Sequence, residues 1–168
     1  PASLFRGDAT AIGAALAEPL ADELTRGQAL VFAGLFHDMA KPATYALSPE
    51  GRVTFFGHDN VGAEMADAWC RHFKTSNRFR ETMALCVRRH LALGFMVHRQ
   101  PLSLRQIVRY LDATTPAEVE LLVLSSADRL ATDGPRTTPP QIARHLDVAR
   151  QIAREWRALR DRGTPTPL

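Results

Sequence analysis

The chain has 168 residues, 45% of them hydrophobic and 23% charged, with a formal net charge of +3. That length suits one domain with one sizeable core, no apolar run is long enough to span a membrane, and two cysteines are too few for a disulfide framework. The charge is uneven: residues 51–110 hold ten Arg or Lys against four Asp or Glu, and residues 1–30 hold two against four, so the middle suits an anionic ligand.

The chain opens at Pro1 with no charged and apolar leader ahead of it, so a cytoplasmic protein, and a fragment of a longer chain, are expected. Residues 9–24 are rich in Ala and Leu, interrupted by Pro19, and have helical periodicity. Residues 28–40 are almost wholly apolar and predict a buried central helix that Pro42 ends. Residues 45–47, a Ser-Pro-Glu-Gly turn and residues 53–56 predict a small hairpin or extended loop, the only strand-like piece. Asp59 or Asn60 can cap the next helix, with Val61, Met65, Ala68, Trp69 and Phe73 as its apolar stripe. Ser76 or Asn77 can cap another, in which Phe79, Met83, Cys86, Val87 and finally His90 share a face.

Ser103 opens a short helix through Leu104, Ile107, Val108 and Leu111, and Thr115-Pro116-Ala117-Glu118 has the pattern of a capping box for a helix that reaches Asp128. Thr138, Pro139 and Pro140 begin the last helix, whose buried stripe is expected at Ile142, Leu146, Ala149, Ile152 or Ala153, Trp156 and Leu159. The expectation is an all-α single domain over residues 1–162, with a flexible tail at 163–168 and with Cys70 and Cys86 as buried free thiols.

Several of these elements carry polar side chains into apolar surroundings. The run Phe-Ala-Gly-Leu-Phe-His-Asp-Met-Ala-Lys-Pro delivers His37, Asp38 and Lys41; His58 follows Phe-Phe-Gly, His90 closes an amphipathic helix, and Asp128 follows Leu121-Leu122-Val123-Leu124. A carboxylate buried without a partner is costly, and for imidazoles and carboxylates together the cheapest partner is a divalent metal. Such a donor set, with positions left for water, suits iron, manganese, magnesium or cobalt, with nickel and zinc also within its range, in one- or two-ion form. Lys41 stands one helical turn beyond His37, where its ammonium would face a phosphate beside the metal.

The stretch HDMAKPATYALSPEGRVTFFGHDNVGAEMADAWCRHFKTSNRFRETMALCVRRH resembles the HD-domain metal-dependent phosphohydrolases. Within them it is most similar to the HD domain of bacterial tRNA nucleotidyltransferases and poly(A) polymerase-like proteins. The resemblance implies a helical bundle in which His37, Asp38 and Asp128 hold one ion and His58 and His90 a second, with Asp38 touching both and Lys41 steadying the phosphate. The family's first ligand is a His, and none precedes His37; Asp8, which lies 29 residues before it, is either a carboxylate substitute or a helix N-cap. His98 is a lesser candidate for the same site, and His72 and His145 are expected on the surface.

The implied activity is hydrolysis of phosphomonoesters or cyclic phosphodiesters, with a nucleotide or RNA end as substrate and tRNA as a candidate partner. Two other readings compete: a noncatalytic RNA-binding or structural module with a vestigial site, and a regulatory domain that senses a nucleotide through its metal. The sequence leaves the oligomeric state open.

Overall fold

Alanine, leucine and arginine are strong helix formers, and the backbone is helical through most of its length. The structure, a computed structural model, describes residues 2–132 and 137–163. The tail expected at 163–168 lies, beyond Gly163, outside the described residues. A short helix α1 (Ala2–Phe5) and a 3-10 turn lead into α2 (Ala9–Ala17).

The helical pattern expected through residue 24 stops at Ala17. Pro19 lacks the N–H that a helix needs, and Pro19–Ala21 (β1) instead pairs antiparallel with Leu24–Thr25 (β2). Asp22 and Glu23 turn between them in the left-handed region, at φ 54° and 61°. The Asp22 carboxylate accepts hydrogen bonds from the Ser76 N–H at 3.0 Å and hydroxyl at 2.9 Å, which docks this second, unexpected hairpin.

Thr25 and Gln28 form a capping box that starts α3 (Arg26–Phe36). This helix buries Ala29, Ala33 and Phe36 but leaves Val31 and Leu35 73% and 72% exposed. It is therefore one-sided rather than a buried central helix, and it ends at Phe36, well before Pro42. The hairpin expected at 45–56 is present: Ala46–Leu47 (β3) pairs antiparallel with Val53–Thr54 (β4), and Gly51, at φ 73°, closes the turn.

The next helix, α4 (His58–His72), begins before Asp59 and Asn60, with Gly57 ahead of it at φ 76° and no side-chain cap. Its buried face is His58, Gly62, Ala63, Ala66 and Cys70, whereas Val61, Met65, Ala68 and Phe73 are exposed. The reason is close helix packing: a methyl at Gly62 would lie 2.9 Å from Val87 Cγ1 and 3.5 Å from Ala40 Cβ. Small side chains, not large ones, face α5 (Asn77–Arg89). In α5 the expectation holds, since Ser76 Oγ accepts from the Phe79 N–H and Phe79, Met83, Cys86, Val87 and the following His90 are buried.

Then come α6 (Ala92–Val97), α7 (Leu104–Thr114) with a Ser103–Gln106 capping box, α8 (Glu118–Ala131) and α9 (Pro139–Asp161). The box expected at Thr115 does not cap α8. The Thr115 hydroxyl lies 2.9 Å from the Leu111 carbonyl and 2.8 Å from the Glu118 carboxylate, so it closes α7 while α8 starts at Glu118. In α9 the buried stripe is His145, Val148, Ala149, Ile152, Ala153 and Trp156. His145 is thus interior rather than solvated, because position 145 shares a helix face with 149, 152 and 156.

Two apolar cores result, and α8 serves both. Val119 and Leu122 pack with α2, α6, α7 and α9; Ala117, Leu121 and Leu124 pack with α3, α4 and α5. Cys70 and Cys86 are free and buried, and burial pushes the Cys86 thiol well up from its usual range. The last helix also clasps the first residues: Arg150 Nε donates to the Leu4 carbonyl, Arg157 Nη1 to the Gly7 carbonyl, and Arg160 pairs with Glu18. No helix among the described residues is long and apolar enough to cross a membrane.

One ion pair lies inside this packing. Arg26 donates from Nε and Nη2 to the two oxygens of Glu120, each at 2.7 Å, and Glu120 is 1% exposed. Arg26→Ala strands that carboxylate in the interior and is expected to cost about 3–5 kcal/mol in urea denaturation. Arg26→Met with Glu120→Leu should recover most of the loss; a single variant as stable as wild type would show that the pair is not buried in solution.

Candidate metal centre

Five polar side chains converge where α3, α4, α5 and α8 meet. Residues 37–44 leave α3 in successive tight turns, with Met39 N–H bonded to the Phe36 carbonyl and Lys41 N–H to that of Asp38. Adjacent residues of a regular helix point about 100° apart, but here His37 Nε2 and Asp38 Oδ2 come within 3.3 Å of each other. Gly57, in the left-handed region, turns the chain into α4 so that His58 faces inward. His90 follows the buried face of α5, and Asp128 lies in the last turns of α8.

The three imidazoles are held alike. His37 Nδ1 lies 2.8 Å from the Gly34 carbonyl, His58 Nδ1 2.7 Å from that of Phe55, and His90 Nδ1 2.6 Å from that of Val87. A carbonyl only accepts, so each Nδ1 carries a proton and each ring turns its Nε2 inward, where the unprotonated form offers a lone pair. His58 Nε2 and His90 Nε2 are 3.2 Å apart. Two lone pairs facing each other at that distance repel unless a proton or cation lies between them.

Asp38 lies between two groups of donors. Its Oδ1 is 3.4 Å from His58 Nε2 and 3.8 Å from His90 Nε2, while its Oδ2 faces His37 Nε2 and Lys41 Nζ, the latter at 2.5 Å. Asp38, His58 and His90 form one group and His37, Asp38 and Asp128 the other; within each, donor atoms lie within 4.8 Å of one another. His37 Nε2 and Asp38 Oδ1 are buried with no hydrogen-bond partner. Orphaned donor atoms of imidazole and carboxylate, aimed at shared points, fit a divalent cation in each group.

The electrostatics agree with that geometry. Asp128, at 3.6 Å, raises the His37 pKa above its ordinary value against the effect of burial, and the His37 contact in turn holds Asp128 low. At that distance the contact is electrostatic rather than a hydrogen bond, and an ion pair only in the protonated form of the ring. Burial, with its neighbours His37 and His58, lowers the His90 pKa, so that ring stays neutral and ligand-ready. Lys41 Nζ also lies 5.7 Å from the centre of the Phe55 ring, which holds the ammonium at the rim.

Asp8 stands apart. It occupies the N-cap position of α2 but makes no cap hydrogen bond, so the cap expected there is absent. Its buried carboxylate instead accepts from Arg157 Nη1 at 3.3 Å, and it belongs to neither donor group. His98 lines a cavity of about 600 Å³ that also touches His90 and Asp128, and His72 is exposed as expected. Sequence reasoning passed over Ser125, Arg129 and Arg144 on the walls of that cavity and placed His145, which also lines it, at the surface. The period of the α9 stripe was the signal for His145; nothing comparable marked the others.

Comparison with known proteins identifies the family. The family model of the HD domain matches residues 10–133. The CC-adding tRNA nucleotidyltransferase of Thermus thermophilus is 38% identical over 103 residues, which are 61% of this chain and 22% of that protein. The A-adding tRNA nucleotidyltransferase of Deinococcus radiodurans is 33% identical over 121 residues, 71% of this chain and 25% of that protein. The chain thus spans about a quarter of the length of these relatives.

The two donor groups predict how metal content responds to substitution. Elemental analysis after incubation with manganese or cobalt, then desalting, should find metal in the wild type and almost none in Asp38→Ala, which removes the residue common to both groups. Asp8→Ala should keep wild-type content. An Asp38→Ala variant that retains full metal would rule out a centre at this cluster.

Proposed function

The chain belongs to the HD-domain family, and on that premise we propose that it is a metal-dependent phosphohydrolase acting on phosphomonoesters or cyclic phosphodiesters of nucleotides or RNA ends. The observation that carries the reading is the Asp38 carboxylate, with Oδ1 turned to His58 and His90 and Oδ2 to His37 and Lys41. A carboxylate placed this way can serve two ions a few ångströms apart, and manganese, iron, cobalt, nickel, magnesium and zinc are all compatible with the donors. His37, Asp38 and Asp128 would hold one ion and His58, His90 and Asp38 the other.

When bound, a divalent ion supplies Lewis acidity at the phosphoryl group and lowers the pKa of water there. The chain's own residues do the rest. The carbonyls of Gly34, Phe55 and Val87 fix the three rings, so no reorientation is needed when charge develops. Lys41, held by Asp38 and the Phe55 ring, places a compact positive charge at the rim, where the oxygens of a transferring phosphoryl group gather negative charge. That both relatives are tRNA nucleotidyltransferases supports tRNA or its ends as the polymer from which a substrate would come.

With manganese, cobalt or nickel added, the protein is expected to hydrolyse an aryl phosphate and a 2′,3′-cyclic nucleotide. Lys41→Ala should lower kcat by on the order of 10²-fold while moving KM less. A metal-loaded protein inert towards a broad panel of phosphate esters, yet binding tRNA with steep salt dependence, would favour the noncatalytic module instead.

A further inference from the structure

The cavity beside the metal centre is built from two sources. His90 and Asp128 line it on the side of the donor cluster, while Gln141, Arg144 and His145 line it from α9. The family model ends at residue 133, so that second wall is contributed by a helix outside the family match. About 600 Å³ is room for a nucleotide rather than for phosphate alone.

The walls have a chemical polarity. Two guanidiniums, Arg129 and Arg144, line the cavity, and among the described residues neither enters a salt bridge. Asp128 is the one acid among the lining residues described, and its carboxylate already faces His37. His145 adds no charge: its Nε2 lies 3.1 Å from Ser125 Oγ, and burial, together with the adjacent Arg129, lowers its pKa. Leu91, Phe95 and Val97 supply an apolar stretch on which a sugar or base can lie. A substrate with one phosphate, held at the metal centre, would leave both arginines without an anion.

We propose that this recess binds a second phosphate of the same substrate through Arg129 and Arg144, so that the preferred substrate is a nucleotide phosphorylated at two positions, as at the end of an RNA strand. The inference rests on the phosphohydrolase reading for its chemistry. In that reaction water bonds to phosphorus at the metal centre, the bond from phosphorus to the sugar oxygen breaks, and the sugar oxygen takes up a proton. Inorganic phosphate leaves and the second phosphate remains on the sugar. Guanidinium is suited to that phosphate because it donates two parallel N–H bonds to paired oxygens.

The test compares a nucleoside 3′-monophosphate, the matching 3′,5′-bisphosphate and the 5′-diphosphate with manganese-loaded protein. The expected result is a kcat/KM for the bisphosphate roughly tenfold above that for the monophosphate, the scale of one charge-assisted contact. That ratio should fall towards one in Arg144→Gln and in Arg129→Gln, mainly through KM, and be partly kept in Arg144→Lys. A ratio of one in the wild type, or a ratio that neither Gln variant moves, overturns the proposal while leaving the hydrolase reading intact. A preference for the 5′-diphosphate over the bisphosphate would also overturn it as stated.

Calorimetric titration of metal-free protein with the same three nucleotides separates the two ideas. Should no hydrolysis occur, tighter binding of the bisphosphate than the monophosphate, lost in Arg144→Gln, would uphold the recess although the hydrolase reading failed. Equal binding of the two would overturn the recess as well.

Discussion

Arg26 and Glu120 meet in a two-pronged ion pair at the start of α3 and α8, and His37 and Asp128 meet at the far ends of the same helices. Between the anchors α3 rises about 16 Å and α8 about 12 Å, so fixing one end fixes the other to within side-chain reach. A buried pair of this kind is no great source of net stability, because desolvating two charges offsets most of their attraction. Its value here is registry. A helix slipped by one turn would leave Glu120 uncompensated and would also draw His37 away from Asp128.

At the far ends the constraint reverses. Three rings held by backbone carbonyls turn their Nε2 atoms towards one another and towards the oxygens of Asp38, an arrangement that repels in the unprotonated form unless positive charge enters it. Such a cluster survives because the surrounding packing over-determines it: His58 lies on the small-residue face of α4, His90 closes the buried face of α5, and α8 joins both apolar cores. The fold gives up stability at the cluster in order to keep these donors together.

Much of this was legible in the sequence, and the failures have physical causes. His37, Asp38, His58, His90 and Asp128 were readable because each follows or closes an apolar pattern that aims it inward, and the HD resemblance supplied their common purpose. The α4 stripe was misread because hydrophobic size was taken as the guide to burial, whereas close approach to α5 selects Gly62, Ala63 and Ala66. The first hairpin was missed because Asp22 and Glu23 adopt left-handed conformations without a glycine to announce them. The pairing of Asp8 with Arg157 was not legible, because Arg157 is 149 residues away and no local pattern encodes such a contact. His145 was hidden by its charged neighbours although its helix phase was correct.

The clasp between the last helix and the first residues also bears on the order in which the molecule assembles. Arg150 reaches Leu4 across 146 residues, Arg157 reaches Gly7 across 150, and Arg160 reaches Glu18 across 142. Contacts between α4 and α5, joined by a short turn, close small loops and carry little entropic cost, whereas these close loops nearly as long as the chain. Docking of α9 is therefore expected late in folding, after the α3–α5 core that carries most of the donors. The arginine-bearing wall of the cavity is accordingly the last surface expected to be set in place, after the donor cluster of α3, α4 and α5 has come together.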